Sequence, residues 1–553
     1  MLSPLHSATL ALGLMAFATA SATAAPCTNS IDTSSPVVAS GFGYNLSNTR
    51  NNASLINSTN VASLQVGYVN VAPDTDERRG APVVTKQTLY TTNGFKVVAT
   101  DRVKGCQFWS YELASSDNLG GGDEVRSIAY VPSAFMKPAL IIAGDNTRNL
   151  YAINAKTGAL AWKATVGTDD KNHKVTGVPQ FYNGKLIVPI SSKEVIKAVL
   201  DLGTVCCRSH GMVQSLDAYT GKILWSYHTT PDAKMQWSGH QGPNGAPVWA
   251  TPTIDTRRNL VYIGTGQNYT YPTTTTSDAI IALNFNTGAV KWVFQAEKND
   301  AWNSGCGVPF PLNGTCDQPQ GDDHDFGAAP VLATLKNGRN LVVAGSKGGT
   351  LFGIDPDTGA KVWSNKLGVG SNLGGIHWGI AVDDSRAYVG VSDVYVNKAS
   401  AITTTDFGAI TAANMKLIDK GRPGVYAVDL MTGAIVWEDH PTHVFTETGE
   451  TVKSIFSAAT SVTNDVAIFS SLDGVVHAYR STDGKLLWKY DTAKPVTGVD
   501  GIAGNGGTID QVGAYVGGNN MFVNSGYHHF GGRNAFQAGP GNALYVFKLP
   551  NTN

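Results

Sequence analysis

Seven times along this 553-residue chain an apolar strand is followed by Asp or Asn, a few residues, Gly, three residues and Trp. The copies run Asp101–Gly105–Trp109, Asn154–Gly158–Trp162, Asp217–Gly221–Trp225, Asn284–Gly288–Trp292, Asp355–Gly359–Trp363 and Asp429–Gly433–Trp437. The seventh carries Arg480 in the acidic position, before Gly484 and Trp488. Asx-Thr-Gly clusters build tight turns, so each unit reads as two strands joined by a hairpin, with room for two more. Four strands make one propeller blade, and the Trp is expected to pack between neighbouring blades.

The repeat glycines are spaced by 53, 63, 67, 71, 74 and 51 residues. Leu544-Tyr545-Val546-Phe547 reads as an eighth inner strand without the turn or the Trp, and Leu64-Gln65-Val66-Gly67-Tyr68 can supply the strand that closes the ring. The expectation is an all-β chain forming a single eight-bladed β-propeller over residues 61–553, preceded by an N-terminal arm over 26–60. Composition agrees. The 61 glycines suit many short strands and turns. The 15% of charged residues and the net charge of −1 lack the electrostatic footprint of a nucleic-acid binder.

Residues 1–25 read as a secretory signal. Leu10 to Ala20 is an apolar run, and Ala20-Ser21-Ala22 and Ala22-Thr23-Ala24-Ala25 offer small-residue cleavage sites. The run is too short for a membrane span, and no later stretch is long enough. The chain is therefore expected in the periplasm or outside the cell, where six cysteines fit an oxidising compartment. Cys306 and Cys316 flank a Gly/Pro/Asn-rich loop suited to a local disulfide, and Cys27 with Cys106 can pin the arm.

Outside the repeats, an ordered set of motifs resembles the quinoprotein alcohol dehydrogenases, and within them the polyvinyl alcohol dehydrogenase type. The set comprises Gly245-Ala246-Pro247-Val248-Trp249, Gly264-Thr265-Gly266, Asn299-Asp300-Ala301-Trp302-Asn303, Gly374-Gly375-Ile376-His377-Trp378 and Val523-Asn524-Ser525-Gly526-Tyr527. The resemblance implies pyrroloquinoline quinone on the axis of an eight-bladed propeller. That flat tricarboxylate needs a stacking surface, cations and hydrogen-bond donors. By position in the motifs, Trp249 matches the stacking indole. Arg126 matches an arginine that reaches a cofactor carboxylate, and Thr176 and Ser191 match two hydroxyls that bond it. Lys347 matches the cation held against the reactive carbonyls, where it favours developing negative charge. His377 and Trp378 fall where a polar–Trp pair faces the quinone.

The resemblance also implies Ca²⁺ beside the quinone, ligated by Glu, Asn and Asp, with an Asp taking the hydroxyl proton. Glu194 matches the Glu. The Asn position reads Gln267, with Asn268 next to it, and the Asp after Trp302 is Asn303. An amide cannot act as a base. Either Asp300, the favoured choice, or Asp322-Asp323-His324-Asp325, a cluster that otherwise reads as a solvated loop, supplies the carboxylate, or the site is crippled. A vicinal cysteine pair that many relatives place ahead of the arginine is absent there and appears at Cys206-Cys207, where it can form the opposite face of the cofactor sandwich.

The expected activity is oxidation of secondary alcohols or polyols. No C-x-x-C-H haem attachment occurs in the sequence, so the electrons are expected to go to a separate cytochrome c. The alternative is a catalytically silent propeller that binds protein or glycan partners, for which Asn303 is the chief argument.

Overall fold

The computed structural model describes residues 26–75, 77–113, 125, 128–200, 206–237, 239–307, 315–317, 319–370, 374–396, 415–417, 421–444, 449, 451–527, 538 and 541–550. The expected signal segment and Arg126 lie outside them. Among the described residues eight antiparallel blade sheets follow one another, six of four strands and two of five. Blade 1 begins with Val83–Thr85 and ends with Gln107–Glu112; blade 4 runs through Thr253–Asp255, Leu260–Gly264, Ala279–Asn284 and Val290–Gln295. The first strand of each blade neighbours the first strand of the next. The ring closes where Gly517 of blade 8 meets the Val84 side chain of blade 1.

The repeat explains how blades adhere. The Asx side chain accepts the backbone N–H groups of the turn, as Asp217 does from Tyr219 at 3.0 Å and Thr220 at 2.9 Å. The turn glycine then adopts φ near +70° and presents a bare Cα to the indole of the preceding blade. A Cβ on Gly158 would come 2.8 Å from the Trp109 ring, and one on Gly288 would come 2.6 Å from Trp225. The indole N–H completes the joint by donating to the following blade, Trp109 to Ala155 O and Trp292 to Pro356 O.

Blade 8 takes Ala514–Gly517, Asn520–Ser525 and Ala543–Lys548 from the C-terminal end and Gln65–Val71 from the N-terminal end. The closure is the expected one, but Leu544–Phe547 lies in the third strand of its blade, not the innermost. Its missing indole has a substitute. Tyr68 packs on Gly105 of blade 1, 3.0 Å from where a Cβ would stand, and donates to Arg102 O at 2.8 Å.

The stretch expected as an arm is a strap laid across one end of the central channel. Val37–Ala39 pairs with the innermost strand of blade 1. Further along, Ser40, Leu46, Ser47, Thr49 and Arg50 offer carbonyls to Tyr130, Ile254, Leu332, Val382 and Val462 of blades 2, 4, 5, 6 and 7. Gln180 of blade 3 bonds Asn48, and the Tyr44 hydroxyl accepts from Val516 N of blade 8. Inner-strand N–H groups that face the channel thus find partners, as buried backbone must. Arg50, 1% exposed, donates to the carbonyls of Thr460, Phe42, Val512 and Ala514 and to Ser461 Oγ.

Candidate active site

The expected site residues that are described gather at the end opposite the strap, on connections between blades and between second and third strands. Trp249 lies on the connection into blade 4, His377 and Trp378 on that into blade 6, and Lys347 on the turn after Asn340–Gly345. The structure brings these four together. The His377 and Trp378 rings stand edge-on to Trp249 at 5.8 and 5.3 Å, and Lys347 Nζ lies over the indole, 6.0 Å from its centroid. Gly327 lets the backbone approach the indole edge, since a Cβ there would sit 1.9 Å from Cη2. His377 is buried and bonded through Nδ1 to Ser457 Oγ at 2.7 Å. Burial, and secondarily the Lys347 charge, hold it well below its ordinary pKa.

Of the acidic cluster after Trp302, Asp322 is exposed, as a solvated loop requires, while Asp325 is buried and the Asp323 side chain nearly so. Asp323 pairs with Lys347 at 2.8 Å, both side chains under a tenth exposed. Asp325 Oδ2 accepts the Trp249 indole N–H at 2.6 Å, and its Oδ1 is buried without a partner. Burial and the Asp325 charge push Asp323 up to about 7 against the pull of Lys347. Asp300 lies in the same acidic group, 4% exposed, both oxygens without hydrogen-bond partners. Burial, then the Glu297 charge, push it up to about 8. Asp278, to which no sequence motif points, is fully buried with both oxygens unpartnered. Burial and the Asp300 charge hold it well above the carboxylate range. The carboxylate on Lys347 is thus Asp323.

The residues expected at a metal divide. Asn303 donates to Tyr269 O and Thr315 O and accepts from Gly305 N and Thr315 Oγ1, so its amide is spent on the loop. Asn268 is committed likewise, to Asn244 O and Thr274. Gln267 donates to Trp302 O but keeps a buried, unpartnered Oε1. Glu194 opens a short helix, Glu194–Leu200, and its Oε2 accepts from Arg208 N, Ser209 N and Ser209 Oγ. Burial raises its pKa, and the Ser209 bonds oppose the rise. Ser209 and Gln267 are tied through the backbone of Gly245-Ala246, which places Glu194 and Gln267 on successive rungs. Among the described residues no three His, Cys, Asp or Glu side chains are grouped to hold a metal ion.

Thr176 and Ser191 are buried, and Thr176 Oγ1 has no partner. Cys206 and Cys207 form a disulfide packed with Ala198 and Tyr269, while Cys27–Cys106 and Cys306–Cys316 are paired as expected. An indole face, a lysine and unpartnered oxygens on Thr176, Gln267, Asp300 and Asp325 at one channel mouth fit a flat, polar-rimmed cofactor. Among the described residues no helix is long and apolar enough to cross a membrane.

Comparison with known proteins agrees with that geometry. Residues 43–310 match the family described as glucose/ethanol/alcohol dehydrogenase, beta-propeller domain. Residues 323–505 and 420–532 match that described as outer membrane protein assembly factor BamB. Polyvinylalcohol dehydrogenase of Sphingopyxis sp. (strain 113P3) is 32% identical over 85% of this chain and 70% of its own length. Polyvinylalcohol dehydrogenase of a Pseudomonas sp. is 32% identical over 94% of this chain and 78% of its own. The structure of quinohemoprotein alcohol dehydrogenase ADHIIG from Pseudomonas putida HK5 superposes with a TM-score of 0.66 at 20% identity, covering 94% of this chain and 81% of that one, a likeness of fold. Repeat, closure, site and relatives converge: the chain belongs to the pyrroloquinoline quinone-dependent alcohol dehydrogenase family.

Proposed function

We propose that this dehydrogenase oxidises secondary alcohols and polyols of the polyvinyl alcohol kind and passes the electrons to a separate cytochrome c. The observation that carries the reading is the buried Lys347–Asp323 pair beside the Asp325–Trp249 hydrogen bond, which puts a cation, a base and a stacking surface in one place. When bound, pyrroloquinoline quinone supplies the two-electron acceptor. Trp249 provides its platform, and Thr176, Ser191 and, by motif, Arg126 provide rim contacts. The disulfide Cys206–Cys207 is assigned to the opposite face.

Asp323 and Asp325 act together as the base. Asp323, poised near neutrality, can take a hydroxyl proton at physiological pH, and Asp325 stands beside it on the Trp249 indole. Asp300, the residue favoured by sequence, lies in the same acidic region without an ion pair to Lys347. The argument from Asn303 for a silent propeller loses its force here; with Asp323 and Asp325 in place, the amide need supply no charge.

Calcium belongs to the proposal on charge grounds. Asp278, Asp323 and Asp325 face Lys347, and a tricarboxylate brings further negative charge to these acids unless a cation accompanies it. Glu194 and the free Oε1 of Gln267 are the proposed ligands. Residues 1–25 are proposed as an export signal, placing the enzyme in the periplasm or outside the cell.

The test is a titration of the apo-protein with the quinone, with and without Ca²⁺, followed by dye reduction with secondary alcohols, polyvinyl alcohol and primary alcohols in parallel. Calcium-dependent binding with turnover favouring secondary alcohols is expected. Preference for primary alcohols would remove the substrate assignment, and calcium-independent binding would remove the metal.

A further inference from the structure

Oxidation of a carbinol removes two hydrogens: one leaves carbon with the electron pair, and the other leaves oxygen as a proton. The electron pair goes to the cofactor and on to the acceptor. The proton starts among buried carboxylates and must reach water before the site can turn over again.

One side of the site offers a graded way out. Asp323 on Lys347 is nearly sealed, and Asp300 is 4% exposed. His324 follows Asp323 in the chain, and its Nδ1 lies 2.5 Å from Glu297 Oε2. The His324 side chain is 17% exposed and that of Glu297 45%. The imidazole rests on Gly348, where a Cβ would come within 3.2 Å of its Nδ1 and Cγ, so the bare glycine makes its seat. Glu297, Asp322 and Asp300 face His324, and Lys366, whose Nζ donates to Gly348 O at 2.5 Å, faces Glu297.

We propose that His324 and Glu297 are the proton exit of this reaction. The proposal rests on the Asp323–Asp325 base described above. The proton taken from the substrate hydroxyl passes from that pair to the His324 ring, which lies between them in the chain; the ring releases a proton to Glu297, on which its Nδ1 rests, and Glu297 gives it to solvent. No bond other than O–H and N–H is made or broken on this path. Its charges are ordered to suit. Against burial, Glu297 and the other facing carboxylates hold His324 above its ordinary pKa, and against burial His324 and Lys366 hold Glu297 below its own, so Glu297 sheds the proton to water at the mouth.

The experiment uses enzyme loaded with quinone and Ca²⁺, mixed with alcohol in weak buffer. Cofactor reduction is followed by absorbance and proton release by an indicator dye. In the wild type the two run together. In His324→Phe, quinone affinity and reduction amplitude stay as in the wild type, while proton release slows at least about tenfold and free imidazole restores part of it. Glu297→Gln, at the exposed end, keeps an acceptor for His324 while losing the charge, and it slows release by a smaller factor. Release that keeps pace with reduction in both variants overturns the exit. A wild type that reduces no quinone overturns the dehydrogenase reading and this one with it.

Discussion

The indole N–H of Trp249 donates to Asp325 Oδ2 at 2.6 Å, so the platform of the site and half of its acidic pair are held by one bond. Substitutions at the two ends therefore separate binding from chemistry. Trp249→Ala removes the surface and should weaken quinone binding by about 100-fold or more, the scale of a truncated aromatic anchor, with the ring still folded by circular dichroism. Asp325→Asn keeps an acceptor for the indole but loses the charge. Its quinone affinity should stay within about threefold of wild type while kcat falls by about 100-fold or more. Equal losses of affinity in both variants would deny Asp325 a part in the chemistry.

Lys347 is the counter-ion that keeps Asp323 from rising further. Asp323 must be ionised to accept a proton, so kcat/KM should climb as pH passes upward through about 7. Lys347→Met should move that limb to higher pH and lower kcat by about 100-fold or more. The pH profile of the two proteins is the check, and an unmoved limb would separate Lys347 from the base.

Asp300 gives the apo-protein an inverted pH dependence. Its carboxyl is pushed up to about 8 in the fold and titrates near 3.9 in the unfolded chain. Between those values the folded state holds a proton that the unfolded state has lost. The contribution is therefore complete below about pH 4 and declines as pH rises through about 8. Apo-protein should melt lower at pH 8 than at pH 5. Asp300→Asn should flatten that slope and exceed wild type at pH 8 by at least about 1 kcal/mol. A variant that follows the wild-type slope would show that Asp300 is ionised throughout.

Arg50 holds the strap to blades 7 and 8 through backbone carbonyls and one hydroxyl. Arg50→Met leaves those acceptors buried and unpartnered, at about 1–3 kcal/mol for each unsatisfied group. Urea unfolding should show a midpoint lowered by an amount equivalent to about 3 kcal/mol or more. The folded fraction should bind quinone as the wild type does, because none of the groups that Arg50 bonds is a residue placed at the site.

What sequence reveals of this molecule follows the physics of each element. The ring is legible because turn and indole repeat with fixed spacing, each joint being local to two blades. Tyr68 is not, since the glycine that identifies it as the eighth blade's stand-in for Trp belongs to blade 1. The strap leaves no pattern because it works through carbonyls, which every residue carries. Asp278 stands apart in its backbone. It sits at φ 46° where the matching turns of blades 5 and 7 use Gly349 and Gly474. Few residues other than glycine adopt that conformation, so an aspartate in the place of the turn glycine is the signal that sequence offers for it. Asp323 and Asp325 are ordinary loop acids until burial is known. Asn303 stands at a ligand's place in the motif, yet its amide holds Tyr269 and Thr315.

The strap and the strand Gln65–Val71 come from the beginning of the chain, but among their partners are blades 7 and 8, which contain its last strands. Ring closure and channel sealing are thus one event, available only to a finished polypeptide. An open solenoid tolerates the gain or loss of a repeat, since each unit answers only to its neighbours. Here an added or deleted blade would throw the carbonyls from Ser40 to Arg50 out of step with the strands they serve. The N-terminal segment is a ruler, and it measures eight.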